Sequence, residues 1–207
     1  MLMLKITSAF CTGLLAATVC VAQEKTPAKS TTLANLQAAY EGESNAKVRY
    51  EAFAVKADEE GYKGVASLFR AAAASEGIHL RGHAEVIKVM GAEPKADIKG
   101  PEVKSTSENL EAALKGETHE METMYPEFFK QADAEKNSKA ARSFKGAMAA
   151  EKEHAKFYTD ALDNLESWKA EQKTFLVCTV CGFTTADLAL KQCPVCAAPR
   201  NKFLEIK

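Results

Sequence analysis

Two Glu-x-x-His units, Glu76-Gly77-Ile78-His79 and Glu151-Lys152-Glu153-His154, occur in a chain of 207 residues that has only 4 histidines. On a helix, residues three apart lie one turn apart on the same face, so the carboxylate and imidazole of each unit can converge on one centre. Each unit stands about one helix beyond a Gly-Glu step, Gly42-Glu43 and Gly116-Glu117. Two such units, with a Glu from each of two further helices, form the donor set of a carboxylate-bridged di-iron or di-manganese centre inside a four-helix bundle. One Glu three places before a His is an ordinary coincidence. Two of them, each at the same place in an internal repeat, are not.

The repeat is explicit. Asn35-Leu36 and Gly42-Glu43 recur 74 residues on as Asn109-Leu110 and Gly116-Glu117, while Glu76 and His79 recur 75 residues on as Glu151 and His154. A duplicated helical hairpin accounts for both offsets. One inward face per helix then gathers Glu43, Glu76 with His79, Glu117 with Glu120, and Glu151 with His154. Oxygen and imidazole donors suit iron or manganese, and so many carboxylates in a bundle core need a cation to stay ionised. The repeat alignment favours Glu43 over Glu41 and leaves Glu51, Glu85, Glu122 and Glu153 on solvated faces. His83 has ligand spacing after His79 but no counterpart in the last helix, so it is assigned to the surface or to the layer behind the ligands. His119 falls off the metal-facing side. Tyr50 and Tyr125, mirrored in the two halves, are placed to hydrogen-bond ligating carboxylates, with core packing as the alternative. Glycines in the middle of both hairpins' first helices suggest close backbone approach beside the ligands. Pro126 should kink its helix near the site.

A second metal motif lies at the C-terminus, where Cys178-Thr-Val-Cys181-Gly182 and Cys193-Pro194-Val-Cys196 form two knuckles. Four thiolates in this spacing hold iron or zinc in a tetrahedron, and the spacing alone leaves a structural zinc ribbon open.

Helical periodicity supplies the elements that position these donors. Leu33, Leu36, Ala39, Tyr40, Ala46, Tyr50, Phe53 and Ala54 predict a first helix to Glu60 with Gly61 as its stop, and Lys63 to Met90 a second, ended by Gly91 and Pro94. Gly91 to Thr106 has no periodicity. Its roughly 16 residues can span about 50 Å, enough to return along a bundle of roughly 42 Å helices. Ser105-x-x-Glu108 is a capping box opening a third helix to about Lys136, and Asn137-Ser138 precede a fourth ending near Trp168. The expected architecture is all-α: two antiparallel hairpins joined by one long crossover, the connectivity of ferritin-like bundles, over residues 32–168, followed by a small metal domain over 173–207.

A hydrophobic content of 46% supports a packed core, and a net charge of −1 with pI near 6.5 favours neither nucleic acid nor an anionic membrane as partner. Residues 1–22 carry one charge, Lys5, ahead of an apolar run and small residues around Ala22-Gln23, which reads as a secretory signal peptide; 23–31 is a polar tether. Export, to a periplasm, is the expectation, with a cytoplasmic protein if the leader does not function and an uncleaved anchor as a further alternative. Once the leader is removed, only the four clustered cysteines remain.

In this order, Gly-Glu, Glu-x-x-His, Gly-Glu-x-x-Glu-x-x-x-x-Tyr-Pro-Glu-Phe, Glu-x-x-His and the cysteine knuckles, the sequence resembles the rubrerythrins from about Thr32 to Lys207. The resemblance implies a ferritin-like bundle with a non-haem di-iron site, a C-terminal rubredoxin-like Fe(Cys)4 domain, and a peroxidase reducing hydrogen peroxide to water. It further implies that Glu76 and Glu151 bridge the irons, that Glu117 and His154 hold one, and that Glu43 with either Glu120 or His79 holds the other. Members are usually dimers in which the tail of one subunit supplies electrons to the di-iron site of the other. Two features depart from the pattern: Gly77-Ile78 replaces a polar pair, and the leader separates the chain from cytosolic reductases, so a different electron donor is expected. Two other functions remain in view: an iron-oxidising, iron-handling bundle with a structural zinc ribbon, and a manganese catalase, which gives the tail no task.

Overall fold

Thr31 opens the first helix, its hydroxyl accepting from the backbone N–H of Ala34. In this computed structural model residues 31–207 are described, and the expected leader, with the tether up to residue 30, lies outside them. Helix α1 (Thr32–Glu59) ends at Gly61, whose φ of 82° is the left-handed conformation that closes a helix, and α2 (Lys63–Val89) runs back beside it. After the crossover come α3 (Thr106–His119), a π-helical turn (Glu120–Met124), α4 (Tyr125–Ala134) and α5 (Ser138–Asp163). Ser105 and Glu108 form the expected capping box, and Asn137 caps α5 by accepting from Ala140.

The crossover is pinned along α1. Gln37 donates to the carbonyl of Glu93 at 2.7 Å and accepts from Lys95, while Asn45, two turns on, donates to Asp97 and accepts from Lys99 at 2.8 Å. The chain thus climbs beside α1 until the N–H of Thr106 meets Glu60 at 2.8 Å. The second hairpin therefore starts at the end of α1, which is the long-crossover bundle the linker length predicts.

Two apolar clusters flank the polar centre. Around one end, Tyr50, Phe53, Phe69 and Tyr158 interlock with ring centroids 5.3–6.3 Å apart, within the range of favourable aromatic pairs. Leu36, Ile87, Tyr125, Phe144 and Ala147 fill the other. The last helix is shorter than its periodicity suggests: α5 stops at Asp163, and Leu165–Trp168 form a 3-10 turn. Tertiary packing explains the difference, because the turned-out Trp168 stacks on Phe175, which also meets Phe157 edge-on at 5.2 Å. These contacts clamp the tail to the bundle. The tail itself is a small antiparallel sheet ordered β2-β1-β3, from β1 (Phe175–Cys178), β2 (Thr184–Thr185) and β3 (Phe203–Ile206). Among the described residues no helix is long and apolar enough to cross a membrane.

Candidate metal centres

All four long helical segments contribute to one buried acidic cluster. Glu43, Glu76, Glu117, Glu151, His79 and His154 are each no more than 4% exposed. Their donor atoms form two overlapping quartets, Glu43-Glu76-His79-Glu151 and Glu76-Glu117-Glu151-His154, in each of which the atoms lie within 4.8 Å of one another. Glu76 and Glu151 belong to both. Glu120 joins neither, being half-buried with a carboxylate oxygen 4.0 Å from where a Cβ on Gly42 would stand. Of the two alternatives for the partner of Glu43, the structure thus gathers His79.

The donors satisfy one another only in part: Nδ1 of His79 lies 2.9 Å from Glu76, and Nδ1 of His154 2.9 Å from Glu151. Glu43 Oε2, Glu76 Oε1 and Glu117 Oε2 are buried without a hydrogen-bond partner among the described residues. Buried polar atoms in such number are costly unless a cation binds them. Burial, then Glu151 and Glu43, pushes Glu76 well above the usual carboxylate range, and burial, then Glu151, brings Glu117 up to about 7. Burial alone would depress the histidines, but the carboxylates around His79 and His154 raise both well above the ordinary imidazole value. The metal-free cluster therefore holds protons where divalent cations would sit.

The imidazoles are set by the tail. Nε2 of His79 lies 3.2 Å from the carbonyl of Cys181, which can only accept, so that nitrogen carries the hydrogen when the ring is neutral. Nε2 of His154 lies 3.0 Å from the Thr184 hydroxyl, whose own hydrogen goes to the Gly182 carbonyl at 3.1 Å. Once a cation displaces the cluster's protons, both rings therefore present a bare Nδ1 toward the carboxylates, the tautomer a metal needs. Ser75 donates to the same Gly182 carbonyl at 2.8 Å, and a Cβ on Gly182 would stand 2.1 Å from His79 Nε2. Only glycine allows the knuckle to seat there. No sequence signal pointed to Ser75, Thr184 or the Cys181 carbonyl. The resemblance implied electron supply from a second subunit; here the tail lies against its own bundle.

Tyr50 on α1 donates to Glu117 of the second hairpin at 2.6 Å, and Tyr125 of the second hairpin donates to Glu43 on α1. Each half thus steadies a carboxylate of the other. The π-helical turn makes the pairing symmetric. Tyr50 is seven residues past Glu43, about 20° short of two full turns, whereas Tyr125 is eight past Glu117 and would miss by about 80° on a regular helix. The wider turn absorbs the extra residue and returns Tyr125 to the site. It is also where the repeat offset changes from 74 to 75. The irregularity expected of Pro126 takes this form, with the proline in the first turn of α4.

His83 is fully buried, not on the surface; it touches Tyr125 and Ser143 behind the ligands. His119, Glu51, Glu85 and Glu122 are exposed as expected, and Glu153 pairs with Lys156. The mid-helix glycines mark no close backbone: added Cβ atoms would meet Glu120 at 4.0 Å from Gly42, and Arg49 and Tyr50 at 3.9–4.0 Å from Gly116, so side chains of the site occupy that space.

The tail holds the second centre. Cys178 and Cys196 sulfurs are 3.6 Å apart, as are those of Cys181 and Cys193, and all four lie within 4.8 Å of one another. A tetrahedron with metal–sulfur bonds of about 2.3 Å has edges of roughly 3.8 Å, so the thiols are spaced for a metal and too far apart for disulfides.

Two family models match the chain, "Rubrerythrin" over residues 34–162 and "Rubrerythrin, rubredoxin-like domain" over 177–204. Rubrerythrin-2 of Clostridium acetobutylicum is 37% identical over 171 residues, covering 81% of this chain and 92% of that protein. Nigerythrin of Nitratidesulfovibrio vulgaris is 37% identical over 184 residues, covering 88% and 90%. A fully reduced, all-ferrous nigerythrin structure superposes with a TM-score of 0.79 at 36% identity, covering 89% of this chain and 91% of that one. With both metal domains matched in order and nearly the whole described chain covered, the protein belongs to the rubrerythrin family.

Proposed function

We propose that this chain is a non-haem di-iron peroxidase that reduces hydrogen peroxide to water with electrons relayed through its Fe(Cys)4 tail. The observation that carries the reading is the hydrogen bond between His79 and the Cys181 carbonyl, which joins a four-thiolate centre to a ligand of the two-metal cluster. In this reading Glu43, Glu76, His79 and Glu151 would hold one iron and Glu76, Glu117, Glu151 and His154 the other. When bound, the ferrous pair supplies two electrons to one peroxide together, so that H2O2 with two electrons and two protons gives two waters. Tyr50 and Tyr125 hold the outer carboxylates in place through that change of charge. The tail keeps both imidazoles in the ligating tautomer. An iron-handling bundle has no need for a thiolate centre hydrogen-bonded to its site, which is why peroxide reduction is preferred to it.

The test is the metal content and visible spectrum of the purified protein, followed by anaerobic reduction and one equivalent of peroxide. The expected result is about three irons per chain and a thiolate-iron colour that bleaches on reduction and returns rapidly with peroxide. Zinc in the tail with no peroxide-linked colour change would instead favour the iron-handling reading, and oxygen evolution would favour a catalase. We also propose that residues 1–22 direct export and that an exported one-electron donor serves the tail. Edman sequencing of the mature chain beginning at Met1, in a cytoplasmic fraction, would overturn this.

A further inference from the structure

Outside the ligand cluster, one chain of hydrogen bonds runs from an open cleft to the site. The cleft, of about 910 Å³, lies between α2, α5 and the tail, and Ser143 stands in its wall. The Ser143 hydroxyl is 2.8 Å from Nδ1 of the buried His83; Nε2 of His83 is 3.3 Å from the Tyr125 hydroxyl; and Tyr125 donates to Glu43.

The direction of every hydrogen follows from the last link. Because the Tyr125 hydrogen goes to Glu43, the phenol oxygen can only accept from His83, so Nε2 carries the imidazole hydrogen. Nδ1 is then bare and accepts from Ser143. His83 is fully buried, which favours the neutral ring, so its two nitrogens keep these opposite roles. Each donor therefore points from the cleft toward the metal cluster. The reduction proposed above consumes two protons in a pocket whose ligands are almost fully buried, and this reading rests on that reaction.

We propose that Ser143, His83 and Tyr125 form a proton wire that feeds the Glu43 side of the cluster from the cleft. In one passage Ser143 receives a proton from cleft water and passes its own to His83 Nδ1, His83 releases its Nε2 hydrogen to Tyr125, and Tyr125 releases its hydrogen inward along its bond to Glu43, where the proton enters the site. The electrons come from the reduced iron centres. Rotation of the hydroxyls and the ring restores the chain for the second proton. None of these three residues is asked to bind metal; His83 positions and relays.

The experiment uses the full chain in two forms. In the zinc-loaded protein, which is diamagnetic, the 15N signals of His83 should show Nε2 protonated and Nδ1 bare; the opposite tautomer overturns the wire. In the iron-loaded protein, His83→Gln keeps an acceptor toward Ser143 and a donor toward Tyr125 but cannot pass a proton. It should retain metal content and colour, lose about tenfold or more in peroxide turnover, within the span of acid–base contributions, and show a larger solvent deuterium effect. Ser143→Ala should lose less, since water can replace a hydroxyl facing the cleft. Wild-type turnover and isotope effect in His83→Gln would refute the wire alone. A wild-type chain that loads iron but reduces no peroxide would refute the reaction, and with it the use of the wire.

Discussion

Gly182→Ala tests whether the tail works on its own bundle. The new methyl would stand 2.1 Å from His79 Nε2, 2.6 Å from its Cδ2 and 2.7 Å from Ser75 Oγ. Carbon contacts settle near 3.5 Å, so the knuckle must retreat by about 1.4 Å. That retreat breaks the bonds from Ser75 to Gly182, His79 to Cys181 and His154 to Thr184, each of about 1 kcal/mol net. The left-handed φ of 80° strains an alanine whether or not the knuckle is seated, so the three bonds set the shift, about 3 kcal/mol or roughly a hundredfold against docking. Gly91→Ala is the control, with the same φ of 80° and nothing within 4 Å of its Cβ. The cysteines are untouched, so the thiolate-iron colour should form in both. Two assays read the docking: the speed with which that colour returns after anaerobic addition of peroxide, and tryptic cleavage in the exposed Lys169–Lys173 linker. Gly182→Ala should slow the first and speed the second, while Gly91→Ala changes neither. Wild-type behaviour of Gly182→Ala in both assays would refute the seating of the knuckle on His79 of the same chain.

Glu151 lies in both donor quartets, so Glu151→Ala should remove both bundle metals and leave the tail metal; elemental analysis showing loss of only one would deny that it is shared. Metal loading must displace protons from His79, His154, Glu76 and Glu117, all raised in the metal-free cluster, so affinity should rise with pH and loading should release acid; a titration in weak buffer with no pH change would contradict this. Tyr50→Phe should lower stability by about 1 kcal/mol and Tyr125→Phe by about 1–3 kcal/mol, because the latter also strands the buried His83 Nε2–H; thermal unfolding of the zinc-loaded protein with equal losses would count against the hydrogen-bond chain. Deleting the exposed Thr123 should convert the π-helical turn to regular helix yet keep Tyr125 in reach of Glu43, so the variant should fold and bind metal. Failure to do either would refute the idea that this turn merely absorbs one inserted residue.

The six clustered donors were legible because the repeat names them twice, whereas Glu120, also expected among them, joins neither quartet. Glu43 and Glu117, Glu76 and Glu151, His79 and His154 stand at matching places, and the same pairing marked Tyr50 and Tyr125 as carboxylate partners. The hairpins and the crossover were legible from caps and periodicity, since Thr31, Gly61, Ser105 and Asn137 end or start helices by local chemistry. His83 was only half read. With no counterpart in the second half it had no repeat to place it, and its burial depends on Ser143 and Tyr125, both distant in sequence. The early end of α5 at Asp163 was not legible either, because the stacking of Trp168 on Phe175 is tertiary.

What the repeat could not carry is the asymmetry laid on it. The duplicated hairpins build a nearly twofold ligand set, yet the two histidines meet different groups: His79 a backbone carbonyl beside a cysteine ligand, His154 the hydroxyl of Thr184. A carbonyl has no residue type, so the contact that joins the two centres leaves no mark in the sequence beyond the bare glycine that permits it. His83 gives one half a hydrogen-bonded link to the cleft, where its counterpart by position in the other half, Tyr158, is an aromatic whose hydroxyl is buried without a hydrogen-bond partner among the described residues. In the proposed reaction electrons would enter the cluster through the tail at His79 and protons through Tyr125 at Glu43. Both would meet on the same quartet, the one completed by Glu43 and His79, so the proposal places the reduction on that half of the cluster.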